Sequence, residues 1–210
     1  MNAKIGEKSP FDIVLIRSNS ISYELRVSKI TRSISKEYSL LILGWDREGS
    51  HISFESLGKN TFIKRLKIRA PYARIHLLLY YSLFWLWVFR NLLVYRPKVI
   101  HACDLDALVP SYVFKILFST KLIFDNFDRY AMAFVSPKYR IIYPIINKIE
   151  EILAKNSDAL ITVSEERLSS FGKYVPKHTE VIMNCPDFKD LKLLFPFFVS
   201  TIFVLAMKID

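Results

Sequence analysis

The chain has 210 residues, 51% of them hydrophobic, which is enough for one well-buried domain and too apolar for intrinsic disorder. Its formal charge of +10 suits an anionic partner, such as a nucleotide or an acidic membrane surface. The basic residues are dispersed with no nucleic-acid-binding signature, so nucleic acid is not the expected partner.

The polar N-terminus opens into "FDIVLIR", Phe11 to Arg17, and no signal peptide is expected. Phe11 to Arg17 is a continuous apolar run, as in a strand buried on both faces. A helical pattern with Leu25, Ile30 and Ile34 follows over Glu24 to Lys36, then a second strand-like run, "SLLILGW", Ser39 to Trp45. Lys64, Arg65, Lys67 and Arg69 form a loose basic cluster that faces either lipid phosphates or water. From Arg74 to Pro97 the chain is aromatic-rich, but the apolar run between His76 and Arg90 is short of the roughly 20 residues of a membrane span. Two readings of it are preferred over a true span. It is a core helix, or a helix lying in the membrane interface with Trp85 and Trp87 at headgroup level and Arg74 and Arg90 near its ends.

"KVIHA", Lys98 to Ala102, "KLIFD", Lys121 to Asp125, "ALITV", Ala159 to Val163, and "EVIMN", Glu180 to Asn184, continue the strand series. Helical patterns lie between them at Asp106 to Phe118, with Leu108, Val113, Phe114 and Leu117, and at Lys138 to Lys155, with Ile141, Ile145, Ile149 and Leu153. This alternation predicts an α/β fold: a Rossmann-like, mostly parallel sheet with helices on both faces. Ligands bind such sheets at the carboxyl ends of the strands, so the polar residues just after each strand are the ones to read for chemistry. Cys103 and Cys185 are too few for a disulfide framework and read as free thiols in a reducing cytosol. Cys185 is expected as a small buried apolar residue rather than a nucleophile.

The segments after the strands carry a family resemblance. "RPKVIHACDLDALVPSYVFK" resembles the "P-D-V-V-H-x-H-D" strand and helix of family-4 glycosyltransferases of the GT-B type. "KLIFDNFDRYA" is similar to that family's "L-V-Y-D-x-H-E-x-Y" strand, and "KNSDALITVSEERLSSF" to its "A-D-x-v-i-t-V-S-e" element. "EVIMNCPDF" is similar to the strand that leads out of its N-terminal domain, and "ELRVSKITRSISKEYSLLILGWDRE" to its first helix and second strand. Five motifs in order cover Phe11 to Phe188.

The resemblance implies an acceptor-side Rossmann-like domain over residues 1–188. An apolar tail at 189–210 stands where a donor-binding domain would begin. It implies a retaining enzyme that moves a sugar from a nucleotide-sugar to a lipid-linked or polysaccharide acceptor without a metal or other cofactor. The donor would be held by a missing or separate C-terminal domain, so the chain alone is expected to be inactive. An anionic membrane surface is a further implied partner, with a cytoplasmic, peripheral location. The tail itself docks on the domain, touches the membrane, or reflects a reading-frame error. The family's histidine in "D-x-H-E" falls on Phe127, its second histidine in "H-x-H-D" on Cys103, and its Gly-Gly loop on "SNSISYELR".

The expected acceptor or sugar contacts are Asn19, His101, Asp104, Asp125, Asp128, Ser164, Glu165 and Asn184. Several have a plainer alternative. His101 also reads as a core or loop histidine, Asp125 and Asp128 as turn caps, and Ser164 with Glu165 as a helix start matched to the helix dipole. "DLD", Asp104 to Asp106, mimics a metal motif, but Asp106 is expected as the N-cap of a helix from Ala107. Asn184 is expected to shape an interdomain turn. The competing class is a non-catalytic binding or scaffold protein on the same fold. A different Rossmann-like nucleotide enzyme would need a Gly-rich phosphate loop, which "RSNSIS" does not provide.

Overall fold

The computed structural model describes residues 9–22, 24–70, 77–134 and 137–183. Arg74, Asn184, Cys185 and the tail at 189–210 lie outside the described residues. Eight strands form one sheet: β1 (Ile13–Ile16), β2 (Leu40–Trp45), β3 (Phe54–Gly58), β4 (Thr61–Leu66), β5 (Val99–Cys103), β6 (Lys121–Asn126), β7 (Ala159–Thr162) and β8 (His178–Val181). Their order is β3-β4-β2-β1-β5-β6-β7-β8, and every neighbouring pair is parallel except the β3–β4 hairpin at one edge. The Rossmann-like α/β expectation holds. The hairpin itself was not read from the sequence.

Six helices connect the strands: α1 (Leu25–Ile34), α2 (Leu77–Tyr95), α3 (Asp104–Phe118), α4 (Tyr130–Phe134), α5 (Tyr143–Lys155) and α6 (Glu165–Ser169). A 3-10 turn, Pro137–Ile142, precedes α5. The pleat divides the core. Val14, Ile16, Leu43, Ile100 and Phe124 point to one face and pack under α2, α3 and α5. Leu15, Ile42, Ile63 and Cys103 point to the other, under Val27 and Ile30 of α1. Right-handed crossovers place the helices this way. The chain moves outward in one direction from β1 to β2, and in the opposite direction from β4 through β8.

One expectation about the helices is corrected. The helix after β5 begins at Asp104, so Asp106 lies inside its first turn and is not its N-cap. On α5, Ile145 and Ile149 of the helical pattern are exposed. The inward side carries Glu150, Leu153 and Ala154. Both sides of this helix are apolar, so periodicity alone does not fix its rotation.

The readings of membrane contact also change. Arg65 is buried, its guanidinium donating to the carbonyls of Ser20 and Ile52 and pairing with Glu55 at 2.8 Å. It faces the interior because its neighbours Thr61 and Ile63 define the inward pleat of β4. Lys64 points the other way and reaches the Tyr95 hydroxyl at 3.4 Å. Trp85 is half-buried and its indole donates to the Asp106 carbonyl at 2.8 Å. Trp87 packs on Phe84, while Arg90 is exposed. Among the described residues no helix is long and apolar enough to cross a membrane.

Candidate functional site

The strand order reverses at β1. The chain leaves β1 towards β2 on one side and leaves β5 towards β6 on the other, so the loops after β1 and β5 diverge and open a crevice at the carboxyl edge. Polar side chains bridge that crevice. Arg17, one residue past β1, pairs with Asp104 at 2.8 Å and with Glu24 at 2.7 Å. Ser18 donates to Asp106. Asp104 turns the chain from β5 into α3 in the left-handed region, φ 65°, which aspartate tolerates better than most residues. Its other oxygen accepts the amides of Phe127 at 3.0 Å and Asp128 at 3.4 Å, which ties the β6 loop to the same point. Burial pushes the Asp104 carboxyl up to about 7, against the pull of Arg17. Burial also raises Asp106, whose Oδ1 is enclosed without a hydrogen-bond partner.

Beneath the crevice lies a sealed network. His101 Nε2 is 3.0 Å from Asp125, and Arg26 pairs with Asp125 at 2.5 Å. His101 is 3% exposed and Asp125 0%. These two, expected as sugar contacts, are therefore walled off by α1 and do not reach the crevice. Burial works against the Asp125 charge, but the His101 hydrogen bond and the Arg26 guanidinium hold its carboxyl below the usual range. Cys103 completes a buried trio with ligand atoms within 4.8 Å of one another. Both Asp125 oxygens already serve His101 and Arg26, a guanidinium stands where a cation would sit, and burial pushes the Cys103 thiol well up. The trio reads as an ion-pair network rather than a metal site.

Phe127 caps this network. The guanidinium carbons of Arg17 and Arg26 lie over its ring, 4.0 and 4.6 Å from the centroid. A protonated imidazole would be repelled by both. The Phe127→His variant should therefore hold its ring neutral at pH 7, with a pKa below the ordinary 6.5 or so. It should also lose about 1–3 kcal/mol of stability. Proton NMR titration of the new ring and urea unfolding check both. A pKa at or above the ordinary value would refute this double contact.

The remaining expected residues scatter. Asp128 is half-exposed and pairs with Arg167 at 2.9 Å. Ser164 caps α6, accepting the Arg167 amide at 3.2 Å, and Glu165 is exposed in the first turn. Arg167 also donates to the Phe127 carbonyl, so α6 meets the site through that arginine.

Asn19 lines a cavity. Its side chain donates to Glu24 at 2.8 Å and accepts the Ile21 amide at 3.0 Å. The loop presses on β2: a Cβ at Gly44 would come within 2.8 Å of the Asn19 carbonyl, so only glycine fits there. Beside it opens the cavity, of about 540 Å³, lined by Asn19, Ser20, Ile21, Ser22, Glu24, Glu48 and His51. His51 Nε2 is 2.9 Å from the Ser22 hydroxyl. Asp46 shapes the loop by accepting the Gly49 and His51 amides, each at 2.8 Å. A second space of about 680 Å³ runs along α1 to the β3–β4 hairpin and shares Ser22 and His51 with the first. His51, Glu48, Arg17 and Arg26 were not singled out from the sequence. Position after a strand would have flagged Arg17 and Glu48, but nothing local marks Arg26 or His51.

No protein-family model matches the chain, and no curated protein matches it. Solved structures do. One form of sucrose-phosphate synthase from Thermosynechococcus elongatus superposes with a TM-score of 0.60 at 12% identity, over 91% of this chain and 98% of that one. A second structure of sucrose-phosphate synthase from the same organism gives a TM-score of 0.66 at 12% identity, over 88% of this chain and 52% of that one. This chain thus spans about half the length of the second. At such identity the likeness establishes the fold, a Rossmann-like domain of the kind found in that enzyme.

Proposed function

We propose that the chain is the acceptor-side domain of a GT-B glycosyltransferase, resembling family 4, whose sugar acceptor enters at the carboxyl edge beside β1. The observation that carries this reading is the cavity at Asn19, Ser22, Glu24, Glu48 and His51. Its lining is hydroxyl, carboxylate, amide and imidazole around one apolar residue, Ile21, and the polar groups satisfy a polyol in both donor and acceptor senses. The solved neighbours bear the name of an enzyme that makes a sugar phosphate, which agrees. In this reading the nucleotide-sugar is held by a second domain, in the same polypeptide or another, with no metal required. The acceptor is a polysaccharide end or a lipid-linked sugar. The protein's own residues order the crevice: Arg17 and Asp104 fix the two loops, and Ser22 orients His51.

The test is a saccharide titration followed by NMR, using neutral hexoses, hexose phosphates and short glycans. Resonances of the Asn19 to Glu24 loop and of His51 should shift, and His51→Ala should weaken the best ligand by about three- to tenfold, the worth of one hydrogen bond. Absence of any shift across the panel would sink the reading. The non-catalytic alternative is favoured by Phe127 at the family's histidine position and by the sealed His101. It predicts the same binding with no turnover when a donor domain is supplied.

A further inference from the structure

We infer that the outer face of the α2–α3–α5 layer docks on an anionic lipid bilayer. Along α2, Leu79, Leu83, Leu86 and Leu93 stand outward at helical spacing, with Leu86 69% exposed. On the neighbouring α3, Val113, Ile116, Leu117 and Phe118 are exposed, Ile116 at 63%. On α5 the outward stripe is Ile145, Ile149 and Ile152, with Ile145 at 62%, and Ile141 of the preceding 3-10 turn is exposed as well. All three helices cover the same face of one sheet, so the stripes form one layer. A helix layer at the surface of a soluble domain turns polar residues outward, and so broad an apolar surface marks a contact.

Charge selects the partner. The carboxylates of α2 and α3 are Asp104 and Asp106, both buried at the far end. On α5, Glu150 is buried and Glu151 is held by Arg129. Arg90 stands within the α2 stripe. The helices end together at the amino edge of the sheet, where Arg96, Lys98, Lys115, Lys121 and Lys155 gather. The carboxylates beside them, Asp12 and Asp158, are taken up by Lys98, Lys115 and Lys121. An apolar face with a basic rim and no unpaired carboxylate among its described residues is complementary to acyl chains bordered by anionic headgroups. The helices would lie in the interface, not cross it. The crevice sits at the opposite, carboxyl edge and stays open.

Of the membrane contacts expected from the sequence this placement keeps Arg90 and the helix that carries it, and it replaces Lys64, Arg65, Trp85 and Trp87 with the exposed aliphatic stripes; it does not depend on the reaction proposed above. The test is flotation of the full chain with phosphatidylcholine vesicles, with and without phosphatidylglycerol. The protein should float with the anionic vesicles, and less so as salt rises. Leu86→Glu combined with Ile116→Glu should lower the partition constant at least about tenfold. Arg90→Glu with Lys155→Glu should lower it several-fold while leaving saccharide shifts intact. All four side chains are exposed, so thermal unfolding should be unchanged, which separates lost docking from lost folding. No flotation would overturn the inference, as would flotation indifferent to the glutamates, which would place the contact elsewhere in the chain. A dimer that forms without lipid and is abolished by Leu86→Glu would overturn it in favour of a second copy.

Discussion

Replacing Arg26 with methionine should destabilise the fold by about 3–5 kcal/mol, the cost of leaving one member of a buried ion pair alone. Arg26 holds Asp125 at 2.5 Å, donates to the Ile182 carbonyl at 2.9 Å just past β8, and lies over Phe127. One side chain on α1 thus joins the ends of β6 and β8 to the opposite helix layer. Without it Asp125 keeps the His101 side chain as its polar contact in a buried site. The pH dependence has a definite sign. The folded Asp125 carboxyl lies below its unfolded value of 3.8, so its contribution is present above that value and lost as pH falls through the folded one. The gap between wild type and Arg26→Met should be full at pH 7 and should narrow in acid below about pH 4. Adding Asp125→Asn to the variant should restore part of the loss, because no buried charge remains. Urea unfolding of the four proteins at pH 7 decides it. A single-variant loss under about 1 kcal/mol would mean that the pair contributes no more than a surface bridge.

The fold should also be more stable near pH 5 than near pH 8. Asp104 and Glu150 are both pushed up to about 7, in each case chiefly by burial, from 3.8 and 4.5 respectively. Between the unfolded and folded values the native state binds more protons than the unfolded chain. Stability from these groups is therefore complete below about pH 4 and is lost as pH rises through 7. The upper limit is about 3–5 kcal/mol for each group, taking roughly 1.4 kcal/mol per unit. Asp12 and Asp158 act in the other direction. Hydrogen bonds from Lys98 and Ser39 lower Asp12 to about 2. Burial opposes the shift at Asp158, but bonds from Lys115, the Leu122 amide and Lys121 carry it to about 2 as well. Their contribution is present above 3.8 and disappears in acid. The optimum should fall between these windows. Glu150→Gln keeps an acceptor for the Asn126 amide and the Tyr130 amide and removes the ionisation. It should flatten the decline towards pH 8 and raise stability there. An unfolding midpoint that rises steadily from pH 5 to pH 8 in the wild type would contradict the assignment.

These predictions rest on groups that differ in how visible they are in the sequence. The strands on either side of the crevice read directly. Phe11 to Arg17, Lys98 to Ala102 and Lys121 to Asp125 are buried on both faces, so each run is apolar without regard to its neighbours. The β3–β4 hairpin was missed because β4 alternates Ile63 and Arg65 with Phe62 and Lys64, and its charges look like a solvated cluster. Arg65 enters the interior because Glu55 and two carbonyls meet it there, partners 10 to 45 residues away. Asn19 was legible as a residue after a strand. His51 was not, since its place follows from Asp46 folding the loop back onto Ser22.

The sequence by itself determined the alternation of strand and helix, the parallel sheet and the edge where chemistry collects, because burial on both faces and chain connectivity are local properties. It also set the composition of the site loops. Only the tertiary structure decided which polar groups share that edge. His101 and Asp125 follow strands as Asn19 does, yet α1 and Arg26 close over them while the space by Asn19 stays open. It likewise decided that Ile145 and Ile149 face outward. A helix with two apolar sides turns to the one that fits the sheet, and that fit depends on neighbours the helix's own sequence does not contain.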